Sequence, residues 1–240
     1  MKTGGKIGSA KAQEQYDVYV RGEWDLFDRN PVRAQASLEA VRELRIKRVL
    51  DIGCGAGQEL LPFVVGQRVL GIGLDHAPAA GRAGRQLFAK CHTSGRVVFI
   101  RGSAEKLPFR SEDVDLIICR LALPYTRNAQ ALSEMARVLR PGGVILLKIH
   151  HARFYLNRMK KAAAATDLRR VAHAARVLVA GIVYHVTGRQ PNNWLMGSES
   201  FQSERLLRRE LSRYRLAIRE VMPDSNPRTP SYALVKEWRG

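Results

Sequence analysis

Glycine and acidic residues that follow two short apolar segments are the positions in this 240-residue sequence whose types and spacing suggest chemistry. The first segment ends in Asp51 and leads into Gly53-Cys54-Gly55-Ala56-Gly57, and the second ends in Asp75, 20 residues after Gly55. Glycines let backbone N–H groups come close to a ligand, and a carboxylate at a strand end can accept hydrogen bonds from ribose hydroxyls. A strand, a glycine turn and the start of a helix therefore predict a nucleotide-type site.

The glycine turn departs from two common phosphate-binding motifs. In the dinucleotide motif G-x-G-x-x-G, Gly53 and Gly55 would be the first two glycines, but the third position falls at Gln58. No Gly-Lys-Ser/Thr follows, as a P-loop would require. The pattern Asp-x-Gly-x-Gly-x-Gly after a strand therefore indicates a nucleotide site of another class.

Four segments, in order, resemble the motifs of class I S-adenosylmethionine-dependent methyltransferases. The branch they resemble is methyltransferase type 11, which includes the ubiquinone and menaquinone enzymes. Residues 49–58 resemble motif I, and residues 71–75 resemble the acidic second motif. Residues 102–109, followed by 113–118, resemble the segment GDAExLPF…FD, and residues 134–143 resemble EMxRVLRPGG. The resemblance covers about residues 47–149, and the C-terminal hairpin agrees with it.

The resemblance implies S-adenosyl-L-methionine as the cofactor. Asp51 and the turn from Gly53 to Gly57 would hold the methionine part, and Asp75 would bind the ribose. The adenine would lie beside His76, Ser103 and Ala104. Ser103 stands where the family usually has Asp, and its hydroxyl can still accept a hydrogen bond. Arg120 would lie near the methionine carboxylate or the reacting centre, with a structural ion pair as the alternative. The implied cofactor-binding residues are Asp51, Gly53, Cys54, Gly55, Gly57, Asp75, His76, Ser103, Ala104 and Arg120.

Candidate catalytic residues follow the fourth and fifth predicted strands, where the acceptor should lie. They are Tyr125, His150 and His151. Histidine has the pKa range needed to deprotonate a phenol or a similar hydroxyl. The family branch often has His-His where this chain has Pro124-Tyr125, so no base follows from the motif, and hydrogen-bonded packing is the alternative for both histidines. We predict no metal site, because no His, Cys, Asp and Glu residues have metal-ligand spacing.

Apolar runs separated by helical segments indicate the fold that would position these residues. Strands are predicted at residues 47–52, 68–74, 96–101, 114–120 and 144–149, and an antiparallel hairpin at 216–222 and 231–238. Near-continuous apolar strands are typical of a parallel sheet that is covered on both faces. We therefore predict an α/β, doubly wound, Rossmann-like fold. Its seven-stranded, mostly parallel sheet has a C-terminal antiparallel hairpin and a helical insertion after strand five.

The predicted insertion, residues 151–199, interrupts this alternation. Between residues 150 and 191, eight Arg and Lys residues accompany one Asp, which gives a net charge of +7. Its apolar residues fall on one helical stripe, which as a structural layer would cover the core. The alternatives are a substrate lid and a basic face that rests on anionic lipid or nucleic acid. Residues 1–46 are predicted as a tail and helical cap, and residues 47–240 as one domain. The stripe comprises Leu168, Val171, Ala172, Ala175, Leu178, Val179, Ile182 and Val186.

Charge and cysteine content limit the class of partner and the compartment. The net charge is +18, which favours phosphate-rich partners or an anionic membrane surface, unless it reflects an Arg-rich proteome. Three cysteines lack C-x-x-C spacing, and residues 1–12 lack the apolar core of a signal peptide, so a cytoplasmic location is predicted.

Two functions remain open from the sequence. The first is methyl transfer to a small, aromatic or lipophilic acceptor. The second is methylation or binding of RNA through the basic surface, which is weakened because no Asn-Pro-Pro-Tyr-type motif follows strand four. A cofactor-binding partner without activity is a third possibility, against which the intact glycines and Asp75 argue. The sequence predicts neither the methylated atom nor the oligomeric state.

Overall fold

The computed structural model divides the chain into two compact units, residues 1–103 and 104–240. Most of residues 1–30, which belong to the predicted tail and helical cap, lie outside the described residues. The structure describes residues 18, 22, 24, 25, 27, 31–65, 68–91, 96–192 and 196–238.

Seven strands form one mixed sheet in the order β3-β2-β1-β4-β5-β7-β6. Parallel pairing joins β1 to β2, β2 to β3 and β4 to β5, whereas β7 pairs antiparallel with both β5 and β6. The predicted fold class, including the C-terminal hairpin, is therefore confirmed. The strands are β1 Arg48–Ile52, β2 Leu70–Asp75, β3 Val97–Arg101, β4 Val114–Arg120, β5 Leu139–Lys148, β6 Leu216–Val221 and β7 Ser231–Lys236.

In the first unit, short helices follow the strands. A 3-10 helix, Gln58–Leu60, follows β1 and leads into the single turn of α2, Leu61–Val64. Pro62 lies near the start of α2, where the N–H group that proline lacks would make no helical hydrogen bond. Helix α1 is Pro31–Glu39, and α3 is Pro78–Lys90. The interior is apolar, with Phe63 and Phe88 almost fully buried. Trp24 packs edge-on against Phe88 with ring centroids 5.4 Å apart.

In the second unit, the start of strand five differs from the prediction. Helix α4, Asn128–Val138, ends where β5 begins at Leu139, five residues before the predicted Val144. Pairing shifts here, because Val114 faces Leu139 while Leu116 faces Val144. Arg140 to Gly143, which precede the predicted strand, instead form a bulge within β5. Gly142 has a φ of 71°, a conformation that glycine adopts without steric cost.

The insertion after β5 consists of two helices, which confirms a helical insertion at this point. Helix α5, Ala152–Ala164, and helix α6, Leu168–Thr187, form an antiparallel pair, and α7, Glu204–Ser212, leads to β6. Asp167 caps the start of α6 by accepting a hydrogen bond from Arg170 N at 3.0 Å, and Gly188 ends the helix in a left-handed conformation.

The predicted apolar stripe of the insertion faces the wrong way. The buried side of α6 is formed by Ala174, Val177, Ala180, Gly181 and Tyr184. The residues of the predicted stripe lie mainly on the opposite side, where Leu168, Val179, Ile182 and Val186 are exposed. Helix α6 is apolar on two opposite faces, so the spacing alone could not identify the packed one.

Candidate functional site

The glycine turn of the first unit adopts the conformation that its glycines allow. Gly53, Gly55 and Gly57 have φ values of 69°, 54° and 78°, all in the left-handed region that disfavours other residues. Gly53 N and Cys54 N both donate to Leu74 O, at 2.8 and 3.2 Å, which fixes the turn to the end of β2. The turn is therefore a rigid backbone loop between two strand ends.

Asp75 joins this turn to the start of α3. Its carboxylate accepts hydrogen bonds from Gly55 N at 3.1 Å and from Ala77 N at 2.9 Å. The neighbouring His76 side chain is almost fully exposed, with Nδ1 3.5 Å from the same carboxylate. A carboxylate oxygen has two lone pairs, so Asp75 can hold the turn and still accept from a ribose hydroxyl.

The space around the glycines shows where a cofactor fits. Among the described residues, a Cβ added at Gly55 would meet no atom within 4 Å, whereas one at Gly57 would lie 2.9 Å from the Phe99 ring. Gly73 is equally restricted, because its added Cβ would lie 2.7 Å from Phe99. Gly57 and Gly73 are thus needed for packing, and Gly55 presents open space beside an acidic side chain. The residues present fit a nucleoside cofactor.

Cys54 lies in the turn, and Asp51 lies in the strand before it. Both side chains are buried. Burial, together with the charges of Asp51 and Asp75, raises the pKa of the Cys54 thiol well above its usual value. The thiol is therefore protonated near neutral pH and is not a nucleophile.

Ser103 and Ala104 follow β3. Gly102 N donates to Asp75 O at 2.9 Å, which places Ser103 just beyond the end of β2, with its side chain exposed. Ala104 is buried and belongs to the second unit.

The EMARVL segment of α4 holds the loop that follows Ala104. Glu134 accepts from Leu107 N at 2.8 Å, and Arg137 donates to the carbonyls of Phe109 and Leu107 at 2.8 and 3.0 Å. The two side chains also bond each other, and this hydrogen bond holds the pKa of Glu134 below its usual value. These contacts give the third and fourth motifs a shared structural role.

Arg120 lies in a buried ion network of the second unit. It pairs with Asp224, which also accepts from Lys148 Nζ at 3.1 Å, and Lys148 donates to Ser231 Oγ at 3.0 Å. Burial alone would raise the pKa of the Asp224 carboxyl, but the charges of Arg120 and Lys148 outweigh it and hold this pKa below its usual value. The Arg120 guanidinium therefore forms a structural ion pair, which the sequence analysis gave as the alternative to a place near the methionine carboxylate.

His150 lies in an aromatic cluster at the end of β5. Its ring stacks on Phe154 with centroids 3.8 Å apart, and Tyr125 approaches it edge-on at 5.9 Å. Burial, and to a lesser degree the charge of Arg158, lowers the pKa of His150 to about 4. The ring is therefore neutral near pH 7.

The contacts of Tyr155 indicate which ring nitrogen of His150 carries the proton. Its hydroxyl donates to Glu199 Oε1 at 3.0 Å and lies 3.3 Å from His150 Nδ1. A carboxylate only accepts, so the single hydroxyl proton points to Glu199 and Nδ1 of His150 must donate to the hydroxyl oxygen. We assign the Nδ1–H tautomer on this basis, which leaves Nε2 as the basic nitrogen.

His151 caps the start of α5. Its Nδ1 accepts from Arg153 N at 3.3 Å, and burial lowers its pKa. The second unit thus brings Tyr125 and His150 together, whereas His151 has a capping contact of its own.

Three site residues were missed by the sequence reasoning. Tyr155 and Glu199 lie 44 positions apart in the chain, and Asp224 lies 104 positions from Arg120. No local spacing indicated these pairs. The one available signal for the Arg120 partner was Asp224, the single acid of the proline-rich segment 223–230 that connects the two strands of the predicted hairpin.

Neither a metal site nor a membrane-spanning helix is found among the described residues. No group of three or more His, Cys, Asp and Glu side chains is placed to hold a metal ion. Within the same residues, no helix combines the length and apolar character required to cross a bilayer.

Known proteins resemble the central part of the chain. A family model described as a methyltransferase domain, of the type 11 branch, matches residues 50–147. A phthiotriol/phenolphthiotriol dimycocerosates methyltransferase of Mycobacterium ulcerans is 37% identical over 109 residues, 43% of this chain and 38% of that protein. The UbiE ubiquinone/menaquinone biosynthesis C-methyltransferase of Azotobacter vinelandii is 36% identical over 118 residues, 48% of this chain and 46% of that protein.

A solved structure extends the likeness to most of the fold. The YcgJ protein of Bacillus subtilis superposes with a TM-score of 0.58 at 20% identity, over 85% of this chain and 98% of that one. The match to the two curated relatives, in contrast, spans less than half of their length. The motifs, the strand order and the matched family model agree. Residues 50–147 therefore resemble a class I S-adenosylmethionine-dependent methyltransferase domain of the type 11 branch, a domain whose cofactor is S-adenosylmethionine.

Proposed function

We propose that the protein transfers a methyl group from S-adenosylmethionine to a small lipophilic acceptor. The names of the two curated relatives support the acceptor class, because one concerns phthiotriol dimycocerosates and the other ubiquinone and menaquinone. The RNA-directed alternative remains a prediction from the charge of the chain.

The single observation that carries the donor half of this proposal is the open face of Gly55 beside Asp75. The sulfonium of the bound cofactor supplies an activated methyl group. The protein holds the turn rigid through the two bonds to Leu74 O, and Asp75 offers its carboxylate to the ribose hydroxyls. Fixed backbone groups cost little reorganisation on binding, which favours a defined orientation of the donor.

For the acceptor half, we propose His150 as the base. Its low pKa keeps the ring unprotonated near pH 7, so Nε2 has a lone pair for an acceptor proton, but the same low pKa makes it a weaker base than an ordinary histidine. Phe154 and Tyr155 restrict the ring by stacking and by the hydrogen bond to Nδ1. Tyr125, half-exposed and edge-on to the same ring, would contact an aromatic or lipophilic acceptor.

Replacing Gly55 with Ala tests the donor site. The new methyl group meets no protein atom, so its only cost to folding is the positive φ, about 1 kcal/mol. It would, however, occupy the space assigned to the cofactor. Isothermal titration with S-adenosylhomocysteine should show binding to the unmodified protein and a loss of at least about a hundredfold in G55A, since a displaced ligand loses several contacts together.

Gly188→Ala is the matched control. Gly188 also has a positive φ, of 70°, and its added Cβ would meet only ordinary contacts at 3.7 Å, but it ends α6. G188A should be destabilised like G55A and should bind S-adenosylhomocysteine normally. Equal binding by both variants would contradict the assigned site.

The acceptor class is tested separately with labelled cofactor. Incubation with long-chain phenols, quinols, fatty acids and unmodified RNA should label a lipophilic acceptor, and His150→Asn should lower kcat for hydroxyl acceptors while cofactor affinity is kept. Label in RNA alone would favour the second function that the sequence left open.

A further inference from the structure

Helix α6 carries an exposed apolar row along its whole length, opposite its packed side. At 100° per residue the row spans about 100° of the helix circumference. Its ends are the most exposed, with Leu168 at 78% and Val186 at 79%, and between them Val179 and Ile182 are 51% and 56% exposed. The row contains no charged residue and comprises Leu168, Ala172, Ala175, Val179, Ile182, Val183 and Val186.

This row is more than scattered surface apolarity. Helix α6 has 20 residues and is therefore about 30 Å long, and the row follows it from the first turn to the last. Single exposed apolar residues are common, but contiguous ones on the face of a helix mark an interaction surface. The packed side of α6 already supplies the contacts that hold it to the unit, so the outer row is not required for folding.

Exposed cations lie at the connection between α5 and α6. Lys160 and Lys161 end α5, and Arg169 and Arg170 begin α6, so the short connection at residues 165–167 brings all four to one end of the hairpin. Arg170 also pairs with Asp167. The apolar row and the basic end therefore belong to the same two-helix element.

We propose that the α5–α6 hairpin docks the protein onto an anionic phospholipid surface. The apolar row of α6 would lie in the headgroup boundary, and the basic end would face the anionic headgroups. An interfacial helix combines these two features, an apolar face and adjacent Lys and Arg side chains, without spanning the bilayer. This docking goes beyond methyl transfer and does not depend on it, although it would bring the protein to lipophilic acceptors.

Charge argues for lipid over the other occupants of such a face. A second copy of the chain would place one hairpin of net charge +6 against another in a twofold pairing, which is repulsive. Nucleic acid would use the cations, but single-stranded RNA is bound on aromatic side chains, and the row has none. An anionic bilayer uses the apolar row and the cations together.

Vesicle co-sedimentation of the full chain tests the proposal. The protein should bind vesicles that contain about one-third phosphatidylglycerol in phosphatidylcholine, and should bind phosphatidylcholine alone weakly. The double variant Val179→Ser/Val186→Ser should bind about tenfold more weakly, because two exposed apolar groups are lost from the boundary. Serine and valine have similar helix propensities, so α6 should remain folded, which circular dichroism would verify.

Each class of substitution has a matched control. Val32→Ser/Val221→Ser removes two valines that are each 57% exposed, on α1 and β6, and should bind like the unmodified protein. Lys160→Ala/Lys161→Ala/Arg169→Ala should weaken binding by about a hundredfold. Arg82→Ala/Arg85→Ala/Lys90→Ala removes the same charge from exposed positions on α3 and should have a much smaller effect.

Four results would overturn the proposal. The first is no binding of the unmodified protein to anionic vesicles at low salt, and the second is equal loss in hairpin and control variants. The third is sedimentation as a dimer that V179S/V186S converts to a monomer, since the row would then be a self-association face. The fourth is that the unmodified protein and the V179S/V186S variant both bind RNA and neither binds vesicles. That result would assign the cations to nucleic acid. All four measurements are independent of cofactor and acceptor, so failure here leaves the proposed methyl transfer intact.

Discussion

His150 is the buried titratable residue whose protonation matters most for the second unit. Burial makes the charged imidazolium unfavourable, and the contacts on either side of the ring suit the neutral form. Phe154 stacks on one face, and the Tyr155 hydroxyl, itself donating to Glu199, accepts from Nδ1. Stability and the proposed base function therefore require the same protonation state.

We predict a pH-dependent loss of stability from this residue. The pKa of His150 is about 4 in the folded protein against 6.5 in the unfolded chain, so between these values the unfolded state binds more protons. The stabilisation is present above the unfolded pKa and is lost as the pH falls towards the folded pKa. Urea unfolding should show about 2 kcal/mol lost from this group between about pH 7.5 and about pH 5.

The His150→Asn variant should remove that part of the pH dependence, since an amide nitrogen can still donate towards Tyr155 but does not titrate. His151→Asn is the comparison, because the less buried His151 should account for a smaller part. An unchanged pH slope in H150N would show that the ring is not the titrating group.

Local sequence predicted the residues whose roles depend on the local backbone. Gly53 and Gly55 form a turn after β1, and Asp75 ends β2, because positive φ values and a strand-end acid are properties of short segments. The pairing of Arg120 with Asp224 is different, since it depends on which loop closes over the end of β4. A charge at one position does not specify a partner 104 residues away, so this part of the site required the tertiary structure.

At the scale of elements, the sheet was predictable and the packing of two elements was not. Strands buried on both faces are continuous apolar runs, which is why the strand positions, apart from the start of β5, and the terminal hairpin agree with the expectation. The predicted start of β5 was wrong because Pro141-Gly142-Gly143 normally interrupts a strand or helix. Here, pairing with β4 accommodates these residues as a bulge within the strand. The prediction that the outer stripe of α6 covers the core was wrong. The smaller residues of the opposite face, Ala174, Ala180 and Gly181, let other segments approach that face closely.

Gly181 gives an element-scale prediction for the α6 packing. In an exposed helix, Gly→Ala stabilises by about 1 kcal/mol. At Gly181, however, the new Cβ would lie 2.1 Å from Cδ1 of Phe201, a buried ring that also stacks on His185 with centroids 4.7 Å apart. Thermal or urea unfolding should therefore show G181A destabilised by about 1–3 kcal/mol, the cost of overpacking a core.

Phe201→Leu provides the test of that cause. It removes the atoms that the new methyl group would meet, so the double variant G181A/F201L should lose less stability than the sum of the two single changes. Strict additivity would mean that the cost of G181A arises elsewhere than at the Phe201 contact.

At the scale of the whole molecule, a net charge of +18 on 240 residues is the dominant feature. Many acids are already committed to ion pairs, such as Glu134 with Arg137, Asp115 with Arg140 and Asp224 with Arg120. The excess cations of the hairpin and of other surfaces therefore interact mainly with one another. Such self-repulsion destabilises the compact state, because unfolding moves like charges apart.

We predict that added salt stabilises the protein. Raising the ionic strength from about 0.01 M to about 0.15 M shortens the screening length from about 30 Å to about 8 Å, so it weakens long-range repulsion more than short, buried pairs. A gain of about 1 kcal/mol would raise the Tm by about 2–4 °C for a chain of this size. Scanning calorimetry in sodium chloride and in choline chloride should give the same rise, since screening depends on ionic strength and not on the cation. The variant Lys160→Ala/Lys161→Ala/Arg169→Ala carries three fewer positive charges, so its Tm should start higher at low salt and rise less. A Tm that falls with salt in both proteins would instead mean that attractive ion pairs outweigh the repulsion among the excess cations.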